Sequence, residues 1–216
     1  MMAELYTPVA KTVRSLSSTF SSIPSQRIGL LRELASYIEE KVSKNEKVDL
    51  VFICTHNSRR SHISQIWSQA AATYYDIPNV TSYSGGTDAT AFNPRAVRAM
   101  ERAGFEIIKK SDIENPVYAV SFSKTEEPME VFSKKYDSKS NPQTKFAAIM
   151  TCSHADENCP IVAGMEKRIA LPYDDPKEYD DTKLEEEKYS ERVDDIGREL
   201  LYAFSLVRVN DRNSLR

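Results

Sequence analysis

Residues 48–61 read VDLVFICTHNSRRS, an apolar run that passes directly into a polar loop. The run is rich in strand-forming residues and is interrupted only by Asp49, which is typical of a buried parallel strand. After the loop, apolar residues recur at helical spacing and predict a helix over about residues 61–75. The segment therefore predicts a strand, a loop and a helix in direct succession.

The loop between this strand and this helix has the composition of an anion site. Backbone N–H groups at a helix start lack intrahelical partners, and the helix dipole adds positive charge there. Arg60, six positions after Cys54, can hold two oxygens of a tetrahedral anion. The same field favours the thiolate of Cys54, so we predict a nucleophile at Cys54 and an electrostatic clamp at Arg60. The predicted oxyanion-binding residues are Thr55, His56, Asn57, Ser58, Arg59, Arg60 and Ser61.

Strand and helix patterns alternate through the rest of the chain. We predict a strand at 80–83, a helix that Asn93 caps and that ends near Gly104, a strand at 117–122, a helix at 126–136, strands at 146–150 and 167–171, and a helix at 184–206. This order predicts an α/β fold with a parallel sheet covered by helices on both sides. Ligands of such sheets bind beyond the carboxyl ends of the strands. Cys54 and Cys152 both follow such an end, so the pattern can bring them to one rim.

Cys152 and Cys159 enclose a polar segment of six residues. This spacing is neither that of a zinc knuckle nor that of a thioredoxin-type motif, and no metal site is predicted. In one continuous helix the two Cα atoms would lie ~10.5 Å apart, whereas a disulfide requires them within ~7 Å. We therefore infer a redox switch that is helical when reduced and looped out when oxidised. Two unrelated buried cysteines are the alternative.

These motifs resemble those of a known family. The loop matches the Cys-x5-Arg-Ser pattern of the low-molecular-weight protein tyrosine phosphatase superfamily, Asn57 included. Together with the Cys-x6-Cys segment, the chain resembles the thioredoxin-coupled arsenate reductases, which share the phosphatase fold. The resemblance covers about residues 48–204 and includes Gly86-Thr87 and the Asn93-Pro94 helix start.

The chain also departs from this family in three places. His56 stands where the family often has glycine, and histidine can crowd the loop because it does not tolerate the same torsions. Arg59 stands where the family often has a second cysteine. The region 108–144 is longer than the family norm.

The resemblance implies a three-layer sandwich around a central, mainly parallel four-stranded sheet of the phosphotyrosine phosphatase I-like type. Residues 1–46 are then an N-terminal helical extension, because apolar residues recur there at three- and four-residue steps. Residues 47–216 are the phosphatase- or arsenate reductase-like domain.

The resemblance further implies a relay of three thiols. Cys54 attacks arsenate, Cys152 attacks Cys54 and releases arsenite, and Cys159 attacks Cys152 to leave a disulfide for thioredoxin. Asp175 precedes Pro176, which is where this superfamily has the acid that protonates the leaving oxygen. Asp-Asp-Pro is also a common turn, so a structural role for Asp175 stays open.

Two other functions remain open at the level of the sequence. A phosphatase acting on phosphotyrosine or a small phosphoester would use Cys54, Arg60 and Asp175, but it has no use for Cys152 and Cys159. A non-catalytic module that senses an oxyanion or a redox state would turn over neither substrate. His56 and the additional N-terminal helices are the features that favour this second alternative.

Composition limits the partners and the cell compartment that we expect for this chemistry. The 216 residues carry a formal net charge of −3, which argues against a nucleic-acid or acidic-membrane partner held by bulk charge. No apolar run approaches the ~20 residues that span a bilayer, and no secretory signal is recognisable. Three cysteines do not form the framework of a secreted domain, so we expect a reducing cytoplasm. No cofactor is predicted; the expected partners are an arsenate- or phosphate-like oxyanion and thioredoxin.

Overall fold

The computed structural model describes residues 4–158 and 162–209. The helices are α1 (Thr7–Ser17), α2 (Ser25–Ser43), α3 (Arg60–Tyr74), α4 (Pro94–Arg102), α5 (Ser153–Asn158) and α6 (Glu185–Ser205). The strands are β1 (Val48–Cys54), β2 (Val80–Gly86), β3 (Glu106–Lys109), β4 (Tyr118–Ser121), β5 (Met129–Val131), β6 (Phe146–Met150) and β7 (Met165–Ala170). Short 3₁₀ turns lie at Phe20–Ser22 and Pro176–Tyr179.

The main sheet has the strand order β2-β1-β6-β7, and its three pairings are parallel. Strand β1 is central, with Ile53 opposite Gly85 on one side and Met150 on the other. The carboxyl ends of β1, β2 and β6 therefore lie at one edge of the sheet, which is where ligands of such sheets bind. The predicted α/β fold with a four-stranded parallel sheet is confirmed.

Alternate residues of β1 enter two different cores, because successive side chains of a strand point to opposite faces. Leu50 and Phe52 join the large core, where α2 and α3 pack on the sheet and α6 packs across both helices. Val51 and Ile53 join a smaller core on the other face, which α5 covers. Strand β1 is thus buried from both sides, as its continuous apolar run indicates.

A second sheet, antiparallel and in the order β3-β4-β5, lies mostly within the region 108–144. The helix predicted at 126–136 is wrong, because this range contains β5. Pro128 opens the strand, and a proline disfavours a helical conformation for the residue before it. Val131 is fully buried opposite Tyr118 of β4, so pairing across the sheet outweighs local helical spacing.

The predicted helical extension, residues 1–46, contributes α1 and α2 to the large core. Helix α1 packs on α6 and buries Val9 and Val13 completely. Helix α2 packs on β7 and α6, and Arg27 pairs with Glu199 of α6 through two hydrogen bonds of 2.8 and 2.6 Å. Among the described residues, no helix has the length and apolarity needed to cross a membrane.

Candidate active site

The predicted anion loop connects the end of β1 at Cys54 to the start of α3 at Arg60. Its backbone is held by the chain that follows β2, since Thr87 N donates to Cys54 O (3.2 Å) and Asp88 N to Thr55 O (2.8 Å). Asn57 adopts a left-handed conformation with φ of 43°. The loop is therefore a fixed turn that places the N-terminus of α3 behind Cys54, as an anion site requires.

Cys54 and Ser61 are in contact, with 3.1 Å between Sγ and Oγ. Asn57 Nδ2 donates to the same Ser61 Oγ at 2.8 Å. Because this oxygen already accepts from Asn57, its own hydrogen is available for the sulfur. Asn57 Oδ1 in turn accepts from Lys134 N at 2.8 Å, which fixes the orientation of the amide. The arrangement allows the Ser61 hydroxyl to donate to the Cys54 sulfur.

Cys152 follows β6 at the same edge of the sheet. Thr151 N donates to Ile53 O at 2.7 Å, so the two strand ends are joined next to both cysteines. The Cys152 sulfur accepts from Ala155 N at 3.3 Å and lies 3.5 Å from Thr55 Oγ1. Both thiols belong to the smaller buried core and are free, with 3% and 1% exposure for Cys54 and Cys152. Cys159 lies outside the described residues.

Arg60 and Asp175 form an ion pair, with 2.7 Å between Nη2 and Oδ2. Arg60 Nη1 also donates to Tyr173 O at 2.9 Å. Within the described ranges, Arg60 Nε is buried and has no hydrogen-bond partner. A buried guanidinium N–H without an acceptor is costly, and an anion bound in the loop is a suitable acceptor. Asp175 also caps the following 3₁₀ turn by accepting from Lys177 N at 3.1 Å.

Arg59 makes its contacts on the other side of the segment 175–180, which begins with Asp175. Its Nε donates to Tyr189 OH at 2.7 Å, and Tyr189 OH donates to Asp180 at 2.7 Å. Burial and then Asp180 raise the pKa of Tyr189 to about 12, although Arg59 acts in the opposite direction. Arg59 Nε is 4.0 Å from Asp175 Oδ1, so the segment 175–180 lies between two arginines. The sequence motif did not indicate Tyr189 or Asp180 as parts of the site.

His56 is exposed, and the left-handed torsion of the loop falls on Asn57 beside it. The carbonyl of His56 accepts from Thr90 Oγ1 at 3.1 Å and from Ser133 Oγ at 3.2 Å. Ser58 Oγ donates to Ala91 O at 2.7 Å. The side chain of His56 therefore does not crowd the loop in the way expected from the missing glycine.

Gly86, at the end of β2, is the glycine that the loop needs. A Cβ placed there would lie 2.1 Å from Asp88 O, 2.7 Å from Asn57 N and 2.8 Å from Thr55 O. No side chain fits at these distances, so the close approach of β2 to the loop requires glycine.

An arsenate reductase of Bacillus licheniformis is 31% identical over 156 residues, which cover 71% of this chain and 93% of that protein. An arsenate reductase of Halalkalibacterium halodurans is 27% identical over 158 residues, covering 72% and 94%. No protein-family model matches the chain.

Two solved structures represent the similar folds that were found. A low-molecular-weight phosphotyrosine phosphatase of Vibrio cholerae has a TM-score of 0.48 at 13% identity, with 73% of this chain and 94% of that chain covered. A thioredoxin-dependent arsenate reductase of Corynebacterium glutamicum has a TM-score of 0.41 at 16% identity, with 93% and 98% covered.

Proposed function

Since the chain belongs to the arsenate reductase family of the low-molecular-weight phosphatase superfamily, we propose that it reduces arsenate to arsenite with three cysteine thiols. The observation that carries this proposal is the buried Cys152 thiol at the rim of the anion loop, 3.5 Å from Thr55 Oγ1. A phosphatase that uses the same loop has no chemical need for that thiol.

The first step forms a bond between Cys54 sulfur and arsenic. The Cys54 thiolate attacks the bound arsenate, and one arsenate oxygen leaves as water. When the anion binds, Arg60 releases Asp175 and pairs with the anion. The buried Nε of Arg60 supports this exchange, because it lacks an acceptor within the described ranges. Asp175, released from Arg60, takes up a proton from the solvent and passes it to the leaving oxygen. The product is an arsenic(V) thioester on Cys54.

The second step reduces the arsenic. The Cys152 thiolate attacks Cys54 sulfur, the sulfur–arsenic bond breaks, and its electron pair goes to arsenic. Arsenite leaves, and a Cys54–Cys152 disulfide remains. The Ala155 N–H bond to the Cys152 sulfur supports this role, because it holds the sulfur at the edge of the sheet where β1 and its loop end.

The third step returns Cys54 to its thiolate. Cys159 attacks Cys152 sulfur, Cys54 leaves, and the disulfide moves to Cys152–Cys159. Helix α5 lies between these cysteines, so its turns must open for the two sulfurs to meet. A thioredoxin-type dithiol in a reducing cytoplasm then restores both thiols.

Replacement of Cys152 by serine tests the relay. With thioredoxin, thioredoxin reductase and NADPH, we expect no arsenate-dependent NADPH oxidation by Cys152→Ser, while hydrolysis of p-nitrophenyl phosphate persists. The matched variant Cys159→Ser should release at most one arsenite per chain and then stop at the Cys54–Cys152 disulfide. Unchanged arsenate turnover by Cys152→Ser would refute the relay.

A phosphatase is the second candidate, favoured by the complete set of Cys54, Arg60 and Asp175 around one loop. It predicts phosphoester turnover that is insensitive to both serine variants and no arsenite from the wild type. A sensing module without catalysis predicts no turnover of either substrate by the wild type.

A further inference from the structure

A cavity of about 340 Å³ lies outside the anion loop, between α3, the edge strand β2 and the chain around β5. Its volume is at the lower end of the range ~300–1,000 Å³ that is typical of small-molecule sites. Phe122, Met129 and Phe132 contribute apolar walls. The region 108–144 thus forms a pocket together with α3 and β2.

Lys134 lines this cavity and is only 7% exposed. Within the described ranges its ammonium forms no ion pair, and it lies over the Phe132 ring, 4.6 Å from the ring centroid. Burial lowers the pKa of Lys134 to about 8. Because most of the Lys134 side chain is buried and its ammonium has no counter-charge within the described ranges, an anion in the cavity is a suitable partner for it.

Gln65 provides a second polar group that lacks a partner. It lines the same cavity, is 4% exposed, and its Oε1 is buried without a donor among the described residues. The neighbouring Gln69 differs, because both ends of its amide are bonded to β2. The cavity is also lined by three exposed, negatively charged residues, Glu126, Glu127 and Glu130.

We propose that this cavity binds a small organic carboxylate with an apolar body, whose carboxylate pairs with Lys134. The apolar body packs between Phe122 and Phe132, and a donor on the ligand satisfies Gln65 Oε1. The three glutamates select a ligand whose outer end is neutral or cationic, because a second anion there would be repelled.

The cavity is connected to the anion loop through the backbone of Lys134. Lys134 N donates to Asn57 Oδ1, and Gly86 N donates to Lys134 O at 2.9 Å. Asn57 in turn donates to Ser61, which contacts Cys54. Ligand binding at the Lys134 side chain therefore acts on a residue that is three contacts from the nucleophile.

The test uses 4-(aminomethyl)benzoate as the probe and benzylamine as the same molecule without its carboxylate. Calorimetric titration of the full chain should give saturable binding of the first probe and at least tenfold weaker binding of benzylamine. Lys134→Met should weaken the first probe by about tenfold or more, as expected for the loss of a charge-assisted bond. Lys135→Met removes an exposed lysine one residue away and should leave the affinity unchanged.

Folding of Lys134→Met is not at risk, because an apolar side chain of similar length replaces an unpaired buried charge. In the wild type, affinity should fall as pH rises from 7 to 9, because Lys134 loses its proton near pH 8. The other ionisable groups that face the cavity or Lys134 are His62, Tyr83, Glu126, Glu127 and Glu130. Burial and Lys134 lower the pKa of His62 to about 3, and burial raises the pKa of Tyr83, so both lie outside this window.

Three outcomes would overturn the proposal. The first is absence of saturable binding in the millimolar range, and the second is equal affinity in Lys134→Met and the wild type. The third is strictly competitive displacement of the probe by arsenate, with complete loss of probe binding at saturating arsenate, which would locate the probe in the anion loop instead. None of these depends on arsenate turnover, so the proposed function stands or falls separately.

Discussion

His62, one residue after Ser61, is fully buried and packs on Phe92 with 4.4 Å between ring centroids. Burial, followed by the charge of Lys134, lowers the pKa of His62 to about 3. The folded protein thus holds the neutral ring, whereas the unfolded chain takes up a proton below its ordinary pKa of about 6.5. Stability from this group is complete above pH 6.5 and is lost as pH falls towards 3.

Replacement of His62 by glutamine should reduce the acid sensitivity of the fold. Between pH 6 and 4 we expect the free energy of unfolding of the wild type to fall by about 1.4 kcal/mol per pH unit more steeply than that of His62→Gln. Urea denaturation across this pH range measures the two slopes. His56→Gln changes an exposed histidine and should retain the wild-type slope; equal slopes for His62→Gln and wild type would contradict the assignment.

Single residues were predictable where a spacing carries a chemical requirement. The loop motif implied that Cys54, Asn57 and Ser61 lie close together, and they do. This was predictable because a loop of seven residues between a strand and a helix has few ways to close. Tyr189 was not predictable, because it reaches Arg59 across 130 positions of sequence and belongs to an ordinary amphipathic helix.

At the scale of elements, the end of β2 determines the shape of the anion loop. Gly86→Ala should therefore disrupt the loop, with a loss of several kcal/mol of stability and of phosphate binding. Gly29→Ala is the matched change, since a Cβ at Gly29 of α2 meets no atom within 4 Å. We expect it to stabilise the protein by about 0.5–1 kcal/mol. Thermal unfolding with and without phosphate compares the two variants; a tolerated Gly86→Ala would show that the loop can move away from β2.

The elements of the main sheet and strand β4 followed from the sequence, whereas β3 and β5 did not. Strands β1 and β6 are short, continuous apolar runs followed by polar loops, so local pattern and buried position agree. Strand β5 has three residues and depends on pairing with β4, which a local pattern does not contain. The same applies to β3, whose residues are mostly exposed.

At the scale of the whole molecule, Leu16 of α1 and Trp67 of α3 meet at Gly197 of α6. An ideal Cβ at Gly197 would lie 2.9 Å from Leu16 Cδ1 and 2.7 Å from Trp67 Cε2, so glycine allows the three helices to approach. The N-terminal extension is therefore packed into the same core as the sheet and should unfold together with it.

Leu16→Ala tests this coupling. We expect a loss of about 2–5 kcal/mol, the usual effect of truncating a buried leucine, within one urea transition reported by Trp67 fluorescence. Ser15→Ala, on the exposed side of α1, should change stability by less than about 0.5 kcal/mol. A separate early transition that leaves Trp67 fluorescence unchanged would instead support residues 1–46 as an independent unit.

The near-complete burial of Cys54 and Cys152 has a consequence for survival under oxidative stress. Peroxides convert accessible thiolates to sulfinic and sulfonic acids that ordinary thiols cannot restore. Because the smaller core shields both sulfurs, only a molecule that enters the anion loop can reach them. Thr55 and Ala155 occupy the immediate surroundings of Cys152. Hydrogen peroxide is smaller than arsenate and reaches the sulfurs by the same loop, so we expect bound phosphate to slow the irreversible oxidation of Cys54 and Cys152.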